Sequence, residues 1–307
     1  MSQKLHISSS PHIHTNRSTQ RIMLDVIIAL LPSTIAGTVL FGIRAALVVA
    51  VCIAAAVASE AIFNLIVKKE QTIGDLSAVV TGLLLALNLP ANIPLWQAVV
   101  GCAFAIIIVK CCFGGLGCNM VNPAITARVF MVISFGSMAT TAFPVDTVAG
   151  PTPLAVITRS VMPDLNALFW GRIGGTIGET CVPALLIGFI YLLARKVISW
   201  HLPVTYILTS FVFTMAIFDG NALMALADIM SGGLLLGAIF MATDYVTSPA
   251  TPWGKVIFGV AAGLITVMIR IWGVYPEGVS FAILLMNILT PYIDKWTALK
   301  VFGGKKA

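Results

Sequence analysis

Phe113-Gly114-Gly115-Leu116-Gly117-Cys118-Asn119-Met120-Val121-Asn122-Pro123-Ala124 interrupts a long apolar run with three glycines and then opens a helix. At such a junction the backbone N–H groups and the amides of Asn119 and Asn122 converge on the positive end of a helix. A second interruption, Met241-Ala242-Thr243-Asp244-Tyr245-Val246-Thr247-Ser248-Pro249-Ala250-Thr251, sets hydroxyl-bearing residues and one carboxylate into another apolar run. Irregular backbone at membrane depth is tolerated only where protein or a polar cavity surrounds it. These two breaks therefore predict broken helices enclosing a site, with Asn119, Asn122, Thr243, Asp244 and Thr247 able to hold a ring rich in donors and acceptors. The glycine run is not a dinucleotide fingerprint, because no strand precedes it and no acidic residue follows at the required distance.

The surrounding chain supports a lipid-dissolved fold. Hydrophobic residues make up 59% and charged residues only 10% of the 307, against roughly 25% charged in soluble domains, and the mean hydropathy is +1.00. The net charge of +6 is scattered between apolar runs and forms no basic patch for nucleic acid. Crossing about 30 Å of hydrocarbon takes about 20 helical residues, fewer where a helix is broken. Candidate spans fall at 22–41, 45–67, 76–89, 96–113, 119–135, 173–194, 203–218, 227–243, 255–274 and 279–293. Counted on alternate sides with the N-terminus inside, thirteen of the 18 Lys and Arg are cytoplasmic, four are outside, and Arg128 lies within the fifth span. That bias predicts cytoplasmic termini. Residues 1–21 read as a polar cytoplasmic segment without a signal peptide.

A repeat organises the spans. Gly82-Leu-Leu-Leu, a break and Pro94-Leu95-Trp96 parallel Gly233-Leu-Leu-Leu, a longer break and Pro252-Trp253, while Lys110 and Phe113-Gly114 parallel Arg270 and Trp272-Gly273. An offset of five crossings inverts one half against the other. The expectation is an all-α polytopic membrane protein of about ten transmembrane helices, arranged as two inverted five-helix repeats with broken helices. Its parts are a first half at 22–136, an extracytoplasmic linker at 137–172, a second half at 173–295 and a basic cytoplasmic tail at 296–307. Glycines at 171, 174, 175 and 178, at 233 and 237, and at 259 and 263 predict close helix packing.

Charges within apolar runs need a partner or a role. Asp25 stands four residues after Arg21, the spacing of a helical ion pair. Glu60 and Glu179 have no charged neighbour at helical spacing, so each is either a cation- or proton-binding carboxylate or the mate of an Arg or Lys on a neighbouring subunit. Lys110 and Arg270 either stabilise an anion or a reduced cofactor, or snorkel to the interface. Cys111, Cys112 and Cys118 cluster without a familiar iron–sulfur ligand spacing; structural thiols are the simpler reading, and a cluster shared with another subunit the alternative. In the linker, Asp146-Thr147-Val148-Ala149-Gly150-Pro151-Thr152-Pro153 brackets Thr152 between prolines, which stiffens the backbone holding its hydroxyl.

Together, 113–124, the stretch from Gly233 through Asp244 to Pro249, and Tyr275-Pro-Glu-Gly-Val-Ser-Phe-Ala-Ile-Leu-Leu-Met-Asn287 resemble the RnfD family, membrane subunits of ion-translocating ferredoxin:NAD oxidoreductase complexes related to NqrB. The resemblance runs from about Arg21 to Asp294. It implies FMN joined through its phosphate to a threonine within Asp-x-x-Ser-Gly-Ala-Thr; the matching positions here are Asp146, Ala149, Gly150, Pro151 and Thr152. It further implies a noncovalent flavin such as riboflavin, expected near the broken segments, and a flavin transferase. The implied partners are an extracytoplasmic FMN-bearing subunit and Fe–S-bearing membrane subunits, in the inner membrane of a bacterial or archaeal cell. Two other readings remain open: a channel or solute transporter, because Asn122-Pro123-Ala124 and Ser248-Pro249-Ala250 echo paired channel motifs, and a cofactor-free scaffold, because the flavinylation pattern is altered at Ala149 and Pro151.

Overall fold

A computed structural model describes residues 18–136, 142–144, 152–157, 162–273 and 277–298. Asp146 and Gly150 lie outside these described residues. In order, the helices are α1 (Thr19–Phe41), α2 (Ile43–Val67), α3 (Ser77–Leu87), α4 (Leu95–Ala103), α5 (Pro123–Ser134), α6 (Pro153–Ile157), α7 (Leu165–Trp170), α8 (Val182–Ala194), α9 (His201–Ile217), α10 (Ala222–Met230), α11 (Leu234–Leu236), α12 (Pro252–Trp272) and α13 (Val279–Thr297). Helix α4 continues as a π-helix over Phe104–Cys111, and α11 as one over Gly237–Met241. Among the described residues there is no strand, only an isolated bridge between Ala142 and Gly175.

Among the described residues three helices, α1, α2 and α12, are long and apolar enough to cross a membrane. A fourth crossing results if α10 and α11 with its π extension, bent by 69° at the break, act as one span. The eighth expected span is thus broken earlier than the sequence implied, at Ser231-Gly232-Gly233 as well as after Met241. The sixth begins at Val182, not at residue 173. The glycines at 174, 175 and 178 lie in the loop before it, where the Gly178 N–H donates to Leu87 O (2.8 Å) and the Ile177 N–H to Leu89 O (3.1 Å). These glycines let a loop, not a helix face, approach the C-terminal end of α3.

The outside of the molecule is apolar. Ile35, Val39, Ile43, Leu65, Ile66 and Ile190 are each more than half exposed, which suits a surface bathed in hydrocarbon. All six tryptophans are exposed as well. Trp253 and Trp272 sit at the two ends of α12, about 28 Å apart at about 1.5 Å per residue, close to the hydrocarbon thickness of about 30 Å. Tryptophan favours the two membrane interfaces.

Inside, contact comes from small residues. Between α9 and α12, a Cβ at Gly259 would lie 2.1 Å from Thr205 Oγ1 and one at Gly263 3.0 Å from Tyr206 O. The Tyr206 hydroxyl, fully buried, bonds Thr266 Oγ1 at 2.6 Å and pins the same interface. Gly259→Val should push α9 from α12 at a cost of about 1–3 kcal/mol, read as a lower melting temperature of the detergent-solubilised protein. An unchanged melting temperature would show that the pair is not closely packed.

Candidate functional site

The two broken stretches meet. The first reverses through Gly114, Gly115 and Gly117, whose φ values of 121°, 104° and 86° are ones that a side chain disfavours. Asn122 then caps α5: its Oδ1 accepts the N–H groups of Ala124 (3.0 Å) and Ile125 (3.3 Å), with Pro123 at the first helical position. The same amide donates through Nδ2 to Met241 O at 3.1 Å, where the second stretch leaves its π-helix. Asn287 of α13 closes the junction: with its amide turned to suit its neighbours, its nitrogen donates to Thr247 O (3.3 Å) and its oxygen accepts the Asn122 N–H (3.1 Å). π segments within helices recur at functional sites; here the two of them, Phe104–Cys111 and Gly237–Met241, lead into the two broken stretches.

Between them lies a cavity of about 290 Å³. Asn119, Asn122, Thr243 and Asp244 line it, together with Lys110, Ser77 and Thr81, so four of the five ring-binding candidates come together with one of the charged candidates. Thr247 does not line it; it is buried behind the wall and its carbonyl accepts from Thr290 (2.9 Å). The remaining walls are apolar, among them Val80, Leu84, Leu192 and Phe240. An apolar slot with a few polar groups is the common form of a small-molecule site, and this volume is near the lower end of the usual range. It fits a flat ring system such as a flavin's and is too small for a dinucleotide.

The buried charges have found partners that sequence spacing did not reveal. Lys110, 2% exposed, donates to Glu60 Oε1 (2.8 Å) and Ser77 Oγ (2.6 Å), and Thr72 Oγ1 donates to the same Glu60 oxygen (2.6 Å). Arg270, also 2% exposed, holds Asp228 Oδ1 (2.9 Å) and the carbonyls of Asp228 (2.7 Å) and Ser231 (2.9 Å), and Thr214 Oγ1 bonds Asp228 Oδ2 (3.0 Å). Neither cation snorkels, and Glu60 takes its partner from within this chain. Asp25 pairs with Arg195 (3.3 Å) and with the Tyr191 hydroxyl (3.0 Å) across to α8, partners to which the Arg21 spacing did not point.

A third group lies where α3, α5, the loop before α8 and the start of α13 converge. Arg128 donates through Nη1 to Asn88 Oδ1 (2.7 Å) and through Nη2 to Glu277. Glu179 accepts the Thr176 N–H on Oε1 (3.0 Å). Arg128, Glu277, Asn88 and Asp228 were not singled out from sequence as functional. One signal was present for Asp228, which stands five residues before Gly233 as Ser77 stands before Gly82. Thr152 is half-buried, directly ahead of α6. Cys111 is buried while Cys112 and Cys118 are exposed, and no group of three or more metal-ligating His, Cys, Asp or Glu occurs among the described residues.

Helices throughout the described residues, an apolar exterior, buried ion pairs and a cavity between broken helices define a multi-pass membrane protein. It belongs to the NQR2, RnfD, RnfE family, whose model matches residues 6–303. It is 47% identical, over 98% of its length and 96% of the relative's, to the D subunit of the Na(+)-translocating ferredoxin:NAD(+) oxidoreductase complex of Acetobacterium woodii. It is 41% identical, over 98% and 96%, to the D subunit of the proton-translocating ferredoxin:NAD(+) oxidoreductase complex of Clostridium ljungdahlii. The D subunit of the ion-translocating oxidoreductase complex of Salmonella enteritidis is 34% identical over 98% of this chain and 99% of that one.

Removing one partner of a buried ion pair leaves an uncompensated charge, at about 3–5 kcal/mol, whereas replacing both with apolar or neutral groups is close to neutral. Glu60→Gln and Lys110→Met should each lower thermal stability by about that amount, and the double variant should recover most of it. Additive losses in the melting curves would show that the two side chains are not paired.

Proposed function

We propose that this chain is the membrane subunit of a redox-driven cation pump of the Rnf type. In this reading it carries electrons between ferredoxin and NAD through FMN esterified to Thr152, with riboflavin held in the cavity between the broken helices. The observation that carries the proposal is that cavity. Asn119, Asn122, Thr243 and Asp244, drawn from stretches about 120 residues apart in sequence, edge one apolar slot beside a buried ammonium group. The names of the relatives supply the class of reaction.

A flavin, when bound, supplies the electron chemistry, and the protein supplies position and electrostatics. Lys110 faces the slot with its charge already set by Glu60 and Ser77, so it offers a fixed positive group to a ring that gains negative charge. Asn119 and Thr243 offer a donor and acceptors at the edge, and Phe240 and Leu84 exclude water from the faces. Thr152, half-buried at the start of a short helix, suits a tether: its hydroxyl is on stiff backbone and near enough to the surface for a transferase to reach.

The same reading includes two inverted five-helix halves, cytoplasmic termini and an extracytoplasmic Thr152. Support for the inversion comes from the paired charge clusters. Lys110 against Ser77 and Glu60, and Arg270 against Asp228 and Thr214, occupy matching places in the repeat, with the carboxylate moved from one helix to another. Partners in this reading are the other subunits of the complex, among them an extracytoplasmic FMN-bearing subunit and Fe–S-bearing membrane subunits, together with a flavin transferase. A second reading, a cofactor-free scaffold in the same complex, is favoured by Ala149 and Pro151 in the attachment pattern. A channel is not favoured, because Asn122 is engaged in capping α5 and in holding Met241, which ties the two breaks together instead of lining an open pore.

Mass spectrometry of the Thr152 peptide from chain coexpressed with its flavin transferase should show an FMN adduct, and Thr152→Ala should abolish in-gel flavin fluorescence. A bare peptide in the assembled complex would leave the scaffold. For the cavity, Val80→Trp should fill the slot: flavin released on denaturation should fall while covalent fluorescence stays. Equal release from both proteins would place the noncovalent flavin elsewhere.

A further inference from the structure

Glu179 is the one carboxylate among the buried charge clusters described above without a cation of its own. Arg128 is matched by Glu277 and Arg270 by Asp228. Glu179 is 9% exposed; its Oε1 accepts the Thr176 N–H, and its Oε2 is buried with no hydrogen-bond partner among the described residues. Glu277 Oε1 is in the same position, its other oxygen being held by Arg128. The two orphan oxygens face one spot. A Cβ built on Gly233 would lie 3.0 Å from Glu277 Oε1, 3.4 Å from Glu179 Oε2 and 3.9 Å from Asn88 Oδ1. Three oxygens from three separate parts of the chain thus surround a point that only the absence of a side chain leaves open, where two helices break.

We propose that Glu179, Glu277 and Asn88, converging on the bare face of Gly233, form a binding site for one small monovalent metal cation of the Na⁺ class. This rests on the ion-pump reading above and assigns that reading a site. The charge sets the valence: two arginines against Glu179, Glu277 and Asp228 leave a single uncompensated negative charge, which costs several kcal/mol if left bare away from water. Two orphan carboxylate oxygens alone would suit a shared proton; the third oxygen turned to the same point, Asn88 Oδ1, has no use for a proton held between two carboxylates and is what a hard cation takes as a ligand. Broken helices near the middle of a transport fold are where such ions bind.

The site also touches the cavity through a short polar chain. Arg128 holds Asn88 Oδ1 (2.7 Å), Asn88 Nδ2 reaches Met241 Sδ (3.3 Å), and Met241 O accepts from Asn122, which lines the cavity. A change of charge in the cavity therefore acts on groups in contact with the cation's ligands. Asn88 is the joint between the two.

The test uses the intact purified complex and a hydrophobic carbodiimide, which couples to protonated carboxyls in apolar surroundings, with modification of the Glu179 peptide followed by mass spectrometry. In choline chloride Glu179 should label. NaCl replacing choline at constant ionic strength should slow labelling by about tenfold where Na⁺ stands at about ten times its dissociation constant. Gly233→Ala puts a methyl group at the ligand point without straining the backbone (φ −74°); it should abolish Na⁺ protection while the covalent flavin content stays the same. Absence of labelling in choline, labelling insensitive to Na⁺, as for a carboxylate that binds protons only, or full protection in Gly233→Ala would each overturn the site. Ion uptake driven by the same complex in vesicles separates the two proposals. Redox-driven uptake without Na⁺ protection removes the site and keeps the pump; protection without any uptake removes the pump and keeps the site.

Discussion

Lys110, Arg128 and Arg270 are three cations each 4% exposed or less in an apolar fold, and the whole architecture depends on their being met from within. Hydrocarbon offers a charge neither water nor counterion. Each of the three draws its partners from other segments: α2 and α3 for Lys110, the end of α3 and the start of α13 for Arg128, and α10 with the turn after it for Arg270. These contacts fix which helices adjoin one another far more selectively than the surrounding Leu, Ile and Val, for which one apolar neighbour serves as well as another.

The same constraint explains the broken helices. Ending a helix in the interior exposes N–H and carbonyl groups that nothing outside the protein can satisfy. Asn122 answers at one break, taking two N–H groups at the start of α5 and giving its own amide to Met241 O at the other. Asn287 ties both to α13. Two helix ends that would each be costly alone satisfy one another, and the space left between them is the cavity.

Coupling electron transfer to ion movement requires that charge arriving at one place alters affinity at another. The cavity and the acidic group beside Gly233 are separate, yet Asn88 and Met241 span the interval by direct contact. Moving one charge against 100 mV takes about 2.3 kcal/mol, within the range of a single buried electrostatic interaction.

Composition, the two polar interruptions and the three motif stretches were enough to establish a helical membrane protein and its family, because lipid imposes its demands on every residue of a span and so writes them along the chain. Asn119, Asn122, Thr243 and Asp244 stood out for the same reason, since polar groups are conspicuous where polarity is expensive, and the structure brings the four to one cavity. What the sequence could not say was who partners whom. Asp25 reaches across to Arg195, a partner that helical spacing does not reveal; Glu60 and Glu179 looked alike, yet one is neutralised by Lys110 and the other is not. Those choices depend on helix packing and on distances across tens or hundreds of residues of chain, and only the tertiary structure sets them.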